Sequence, residues 1–250
     1  MNNLVSKFVS RGVALAAATI FLCSPGWGQQ QRQPIQRNLI TIVKPDRVAD
    51  FEAVVKLYNE VYAKTGGARA RLEYQSLTGP NEFRLVRSYN DWAEMDAPLT
   101  TTNNAELARI LARITSCIEH STTVISEIVP ELTLPRAATP PVLLRITRLR
   151  VAPAKVDEWM AIMKNEMVPA YKKAGMSLTV RRARMGAPSN EFYISTRAAN
   201  WAEAGTSSTI KALGQDAYQK LLPKLTAITT QLEVNIYRHR ADLSWSPPAN

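Results

Sequence analysis

The chain has 250 residues, a formal net charge of +10 and 46% hydrophobic residues, enough to bury one sizeable core or two linked ones. A basic balance suits anionic ligands, polyanions or anionic surfaces. No block of lysines and arginines of the kind that marks a nucleic-acid-binding tail is present, so we expect no nucleic-acid partner.

Residues 1–28 have the pattern of a secretory signal peptide: a basic start, an apolar run at 13–23 and small residues before a glutamine-rich stretch. The run of about eleven residues is shorter than the roughly 20 that a spanning helix needs, so we expect no stable membrane insertion. The pattern predicts cleavage near Gly28 and a periplasmic or secreted protein. It leaves lipidation of Cys23 open.

The first predicted structural unit covers residues 38–133 and follows a polar segment, 29–37, that we expect to be disordered. A β-branched run ending at a proline predicts a strand, and apolar residues spaced by three and four predict a helix that ends at paired glycines. The unit is predicted to contain a strand at 39–43, a helix at 46–66, hairpin strands at 70–76 and 82–89, a helix at 105–117 and a strand at 122–129.

A proline-rich linker at 134–141 leads to a second unit at 142–241, and residues 242–250 are predicted to form a loose tail. Pro169 and Pro223 are expected to kink or interrupt the two helices of this unit. The second unit is predicted to contain strands at 143–151, 178–185, 191–197 and 232–240 and helices at 155–174 and 216–229.

The two units are copies of one another. Three short patterns of the first unit recur about 109 residues later in a single register, which indicates a duplicated domain. The matches are Tyr62, Lys64 and Gly66 with Tyr171, Lys173 and Gly175, Asn81-Glu82-Phe83 with Asn190-Glu191-Phe192, and Trp92-Ala93-Glu94 with Trp201-Ala202-Glu203.

The order βαββαβ in each copy is that of the ferredoxin-like motif, an α+β unit with both helices on one face of a four-stranded sheet. Packing the two bare sheet faces together resembles the dimeric α/β-barrel superfamily, with both protomers fused in one chain as an intramolecular pseudo-dimer. The segments at 89–93 and 197–202 are similar to those of small monooxygenase-like members. The resemblance implies a ligand between the sheets, but it carries over no catalytic residue.

Strand alternation predicts which side chains face the space between the sheets. Equivalent positions are apolar in the first copy, such as Ile40 and Ile42, and polar or basic in the second. This difference predicts a lopsided pocket for a small amphipathic or aromatic anion, although the arginines could instead lie on exposed sheet margins. The candidate ligand-binding residues are Arg148, Arg150, Tyr193, Arg197, Asn235, Tyr237 and His239.

Candidates for chemistry are few. His120 and His239 are the only histidines, and neither has a partner at metal-ligand spacing, so we expect no metal and no cofactor. His239, Tyr193 and Tyr237 are weak candidates for proton transfer. Cys117 lies on an apolar helical stripe and is expected to be a buried hydrophobic residue rather than a reactive thiol.

Three functions fit the sequence. The first is an exported protein that binds a small organic ligand between its sheets. The second is a cofactor-independent monooxygenase or isomerase that uses the same cavity, and the third is a structural or interaction protein whose interface is filled by side chains. Whether the protein is an enzyme, which ligand it binds and whether it oligomerises further are left open by the sequence.

Overall fold

Two consecutive βαββαβ repeats form one closed eight-stranded barrel, which confirms the predicted tandem ferredoxin-like α+β fold. The computed structural model describes residues 34–67, 69–97, 105–135 and 139–247. The predicted signal peptide lies outside the described residues, as do most of the lead-in and part of the linker. Within the described ranges, no helix is both long and apolar enough to cross a membrane.

The helices and strands alternate in the predicted order. The first repeat contains β1 (Ile35–Val43), α1 (Val48–Lys64), β2 (Leu72–Ser76), β3 (Glu82–Tyr89), α2 (Ala105–Ser116) and β4 (Ile118–Ile128). The second repeat contains β5 (Leu143–Val151), α3 (Val156–Ile162), a π-helical turn (Met163–Met167), α4 (Val168–Lys173), β6 (Thr179–Met185), β7 (Glu191–Ala198), α5 (Trp201–Gly205), α6 (Ser208–Leu213), α7 (Gln215–Ile228) and β8 (Thr229–His239).

The barrel closes through two short seams between the repeats. The strand order is β1-β3-β2-β8-β5-β7-β6-β4, and all pairs are antiparallel. In one seam Tyr74 pairs with His239, and in the other Ile128 pairs with Arg181. Gly186, just after β6, has a φ of 78° and approaches β4 so closely that a Cβ there would lie 1.9 Å from the carbonyl oxygen of Thr123. Only glycine fits this second seam without displacing backbone.

The helices cover the outside of the barrel, and each repeat has its own core beneath them. Phe51 of α1 contacts Phe83 with ring centroids 4.8 Å apart, and the equivalent Trp159 contacts Phe192 at 4.3 Å. All four rings are buried, and such pairs stabilise beyond the area that they bury. The duplicated aromatic positions are therefore core residues.

The two helical prolines have different effects. Pro169 lies in the first turn of α4, directly after the π-helical turn, so the helix is interrupted there as predicted. Pro223 lies inside α7, which is continuous from Gln215 to Ile228. Pro223 therefore does not interrupt this helix. Two further helices, α5 and α6, follow β7 where the sequence predicted none.

Both ends of the folded region extend beyond the predicted boundaries. β1 begins at Ile35, whose side chain is buried, rather than at the predicted Leu39. At the other end Leu243 is fully buried in the first repeat, and Trp245 pairs through its backbone with Arg71 at 2.7 and 2.8 Å. Trp245 also meets the ring of Tyr62 edge-on, 5.0 Å between centroids. Residues 243–245 are therefore packed rather than loose.

Beneath α1 the first repeat buries a charged cluster of Arg71, Glu73 and Arg87. The equivalent positions of the second repeat hold Leu178, Val180 and Thr196. Burial raises the pKa of the Glu73 carboxyl to about 8, against the opposing effect of the two arginines. Burial likewise lowers the pKa of Arg71 to about 10, so this side chain stays positive at neutral pH.

Candidate functional site

The inner face of the barrel encloses two adjoining cavities. The first cavity has a volume of about 90 Å³ and the second cavity a volume of about 210 Å³. Alternate residues of all the strands point inward, which brings side chains of both repeats around the same space. The residues that line both cavities, and so form their shared wall, are Ile40, Arg84, Val124, Ile146 and Tyr193.

The first cavity is cationic. Arg84, Arg181 and Arg197 line it, and no aspartate or glutamate is among its described lining residues. Hydroxyl groups complete its polar surface, including those of Ser126 and Ser195. Guanidinium and hydroxyl donors converging on one small space favour an anion, because each can donate a hydrogen bond to it.

Arg84 is the central residue of the site. Its side chain is only 9% exposed, and its Nη2 donates to the Tyr237 hydroxyl at 3.1 Å and to Glu82 Oε1 at 3.3 Å. Its buried Nε has no hydrogen-bond partner in the part of the chain that the structure describes. A buried donor without a partner costs free energy of about 1–3 kcal/mol, and the Nε atoms of Arg71 and Arg87 are in the same state.

The second cavity contains charges of both signs. Arg84 and Arg148 line it together with Glu82 and Glu233. Arg148 also forms an ion pair with Glu191, which is fully buried and lines neither cavity. Glu191 accepts hydrogen bonds from Arg148 Nε at 2.9 Å, Arg148 Nη2 at 3.1 Å, Arg150 Nη2 at 3.1 Å and the Tyr193 hydroxyl at 2.5 Å. Burial alone would raise the pKa of Glu191, but these hydrogen bonds outweigh burial and lower it.

The two tyrosines are held as hydrogen-bond donors to carboxylates. Tyr193 donates to Glu191, and Tyr237 donates to Glu82 Oε1 at 2.7 Å. Burial, together with the neighbouring carboxylates, raises the pKa of both phenols above the ordinary tyrosine value. Both phenols are therefore neutral at physiological pH, and neither has the character of a general base.

The structure brings most of the predicted site residues to the cavities. Tyr193 lines both, Arg197 lines the first, and Arg148, Asn235 and Tyr237 line the second. Arg150 and His239 line neither. Arg150 is occupied by Glu191 near the end of β5, and His239 packs on the Tyr74 ring at 5.3 Å, with its Nε2 3.2 Å from the hydroxyl of Ser244. Burial lowers the pKa of His239.

Sequence reasoning did not name Arg84, Arg181, Glu82 or Glu191 as candidate site residues. The available signal was the repeated Asn-Glu-Phe, which sets a glutamate at the start of β3 and β7 in one register. Cys117 is buried as predicted. Among the described residues, no group of three or more histidines, cysteines or carboxylates could hold a metal ion.

Comparison with solved structures agrees with this architecture. A candidate monooxygenase from Lactobacillus acidophilus NCFM superposes with a TM-score of 0.58 at 10% identity, covering 86% of this chain and 96% of that one. A candidate monooxygenase from Fusobacterium nucleatum gives 0.58 at 13% identity, covering 84% and 93%. An anthrone oxidase-like protein gives 0.59 at 11% identity, covering 87% and 94%.

At these identities the similarity establishes the fold and not the activity. The chain therefore has the dimeric α/β-barrel fold, with both halves of the barrel in one polypeptide. No protein-family model matches the sequence, and no curated protein matches it.

Proposed function

We propose that this is an exported protein that binds a small amphipathic or aromatic anion inside its barrel. The anionic group lies in the first cavity among Arg84, Arg181 and Arg197, and the apolar body lies against the shared wall. The observation that carries this proposal is the placement of two buried arginines, Arg84 and Arg181, together with Arg197 around a cavity that has no carboxylate among its described lining residues.

Charge supports an anion. The first cavity offers three guanidinium groups and no carboxylate among its described lining residues, so an anion there meets attraction from all three. Arg84 and Arg181 are both buried. A carboxylate that accepts from a guanidinium forms a short, charge-assisted hydrogen bond, which is stronger inside a protein than in water.

Size and shape support a small ligand with an apolar part. Ile40, Val124 and Ile146 supply apolar surface where the cavities meet. The cavities of about 90 and 210 Å³ together reach only the lower end of the size range of small-molecule sites, which suits a ligand built on one or two rings rather than a large cofactor. The combination of apolar surface with a few convergent polar groups is typical of small-molecule sites.

The candidate bases are poorly suited to proton transfer, which favours a binding function over catalysis. Tyr193 and Tyr237 have raised pKa values and already donate to carboxylates, and His239 lies outside both cavities. A cofactor-independent monooxygenase or isomerase remains the alternative function of the same cavities. Oxygen uptake with an aromatic substrate, lost on Tyr193→Phe, would favour that alternative.

Isothermal titration calorimetry with aryl carboxylates and their neutral amides tests the proposal. Benzoate, phenylacetate and 1-naphthoate should bind more tightly than the matched amides. Arg84→Met should weaken carboxylate binding about 10- to 150-fold, because it removes a charge-assisted hydrogen bond worth about 1.5–3 kcal/mol. Arg197→Met gives a second test at a less buried lining position.

Arg145→Met is the matched control. Arg145 lies on the outer face of β5 and donates to the Ala204 carbonyl at 2.9 Å, so this change removes the same charge without touching the cavities. Its carboxylate affinity should stay within about threefold of the unmodified protein. Equal binding of acids and amides, or equal losses at Arg84, Arg197 and Arg145, would contradict the proposal.

A further inference from the structure

The duplicated glutamates provide an internal comparison within the barrel. Glu82 and Glu191 occupy equivalent positions at the start of β3 and β7, and both point inward. Glu191 is fully buried, and both of its oxygens accept hydrogen bonds from arginine. A carboxylate that is satisfied in this way supports the structure and has little capacity left for a ligand.

Glu82 is arranged differently. Its Oε1 accepts from Tyr237 at 2.7 Å and from Arg84 at 3.3 Å, whereas its Oε2 accepts no hydrogen bond from any described residue. The side chain is 14% exposed and lines the second cavity. Glu191 has hydrogen bonds on both of its oxygens, whereas the equivalent Glu82 offers one acceptor oxygen to the second cavity.

The charge around Glu82 indicates which kind of donor it would accept. Two arginines, Arg84 and Arg148, line the second cavity with two carboxylates, Glu82 and Glu233. A ligand ammonium group would be repelled by the arginines, and a second ligand anion by the carboxylates. A neutral hydroxyl can donate to a carboxylate without adding charge, and such hydrogen bonds are short and strong.

We infer that the ligand is a hydroxyaryl carboxylate, whose carboxylate is held in the first cavity and whose hydroxyl donates to Glu82 Oε2 in the second. This inference rests on the proposed function, since it requires an anion at Arg84. The shared wall then contacts the ring between the two polar ends. Two polar groups of opposite character at the two ends of the ligand, with the apolar side chains of Ile40, Val124 and Ile146 between them, fix its orientation.

Calorimetric titration with 4-hydroxyphenylacetate and phenylacetate tests the inference, because the two acids differ only in the hydroxyl. The unmodified protein should bind the hydroxy acid at least about tenfold more tightly, as expected for a hydrogen bond to a charged acceptor. In Glu82→Gln the ratio of the two affinities should fall to about threefold or less, because the charged acceptor is lost.

Glu233→Gln is the control, because Glu233 is the other carboxylate of the second cavity and is 46% exposed, so water already solvates its oxygens. This variant should keep the full preference for the hydroxyl. Loss of the preference in Glu233→Gln but not in Glu82→Gln would overturn the assignment to Glu82.

The two acids also separate the inference from the proposed function. Equal affinities in the unmodified protein, with phenylacetate binding still dependent on Arg84, would overturn the inference and leave the proposed function standing. If neither acid binds, both fail. The comparison of the two acids in the unmodified protein decides the hydroxyl question whether or not Glu82→Gln folds.

Discussion

Replacing the buried Glu191 by glutamine should destabilise the protein far more than replacing Glu233, although both carboxylates contact Arg148. Glu191 is fully buried and lies 2.9 Å from Arg148 Nε and 3.1 Å from Arg150 Nη2. Glu233 is 46% exposed and lies 3.7 Å from Arg148 Nη1. Arg148 therefore forms one ion pair with a buried carboxylate and one with a solvated carboxylate, and the two can be compared directly.

The magnitudes follow from burial. Removing one partner of a buried ion pair costs about 3–5 kcal/mol. The two arginines keep 38% and 34% of their side-chain surface in solvent, so Glu191→Gln should fall at the lower end, about 3 kcal/mol. A solvated pair is worth at most about 1 kcal/mol, which bounds Glu233→Gln.

Urea unfolding monitored by tryptophan fluorescence measures both costs, since Trp159 lies in the core of the second repeat. A loss of about 3 kcal/mol corresponds to a fall in Tm of roughly 6–12 °C. The pKa of Glu191 is lowered in the folded state. Its contribution to the free energy of unfolding is therefore present at pH values above the ordinary glutamate pKa and is lost as the pH falls. Equal destabilisation by the two variants would refute this reasoning.

Three further predictions concern the seam, the buried charges and the C-terminus. Gly186→Ala should cost about 3 kcal/mol or more, because its Cβ would clash with backbone, while Gly79→Ala, with φ of 82° and nothing within 4 Å, should cost about 1 kcal/mol in urea titrations. Because the folded state holds a proton on Glu73, stability should fall as the pH rises from 4.5 to about 8. Glu73→Gln should therefore gain stability relative to the unmodified protein between pH 5.5 and 8.5, and a constant difference would contradict the raised pKa. Leu243→Ala should cost about 2–5 kcal/mol in chemical unfolding, whereas a neutral effect would show that the C-terminal segment is dispensable.

The fold could be predicted from the sequence because the patterns that indicate its strands and helices are local and occur in both repeats. The strand and helix periodicities repeat in both halves, and matched aromatic residues such as Phe83 and Phe192 mark the same core position twice. The C-terminal packing was missed because Leu243 and Trp245 lie in a short stretch without helix or strand periodicity. The hydrogen bond that the Asn59 amide donates to the Leu243 carbonyl at 2.7 Å joins distant parts of the chain. No local pattern encodes a contact of that kind.

The sequence predicted which face of each strand points into the barrel, but not how far along the barrel axis each residue lies. Alternation correctly separates the inner from the outer face of a strand, and it brought Tyr193, Arg148 and Arg197 to the cavities. It does not give the height of a residue along the barrel axis, which is why His239 was expected in a cavity that it does not line. Whether a carboxylate is saturated, as Glu191 is, depends on partners from other strands that only the folded barrel specifies.

A crystal structure of the protein soaked with 4-hydroxyphenylacetate is the most direct test of the central claim that the barrel interior binds an organic anion. The account predicts the ligand carboxylate about 2.7–2.9 Å from the guanidinium of Arg84, with the ring against the shared wall. Ligand density confined to the outer surface, or a barrel interior without ligand at saturating concentration, would contradict it.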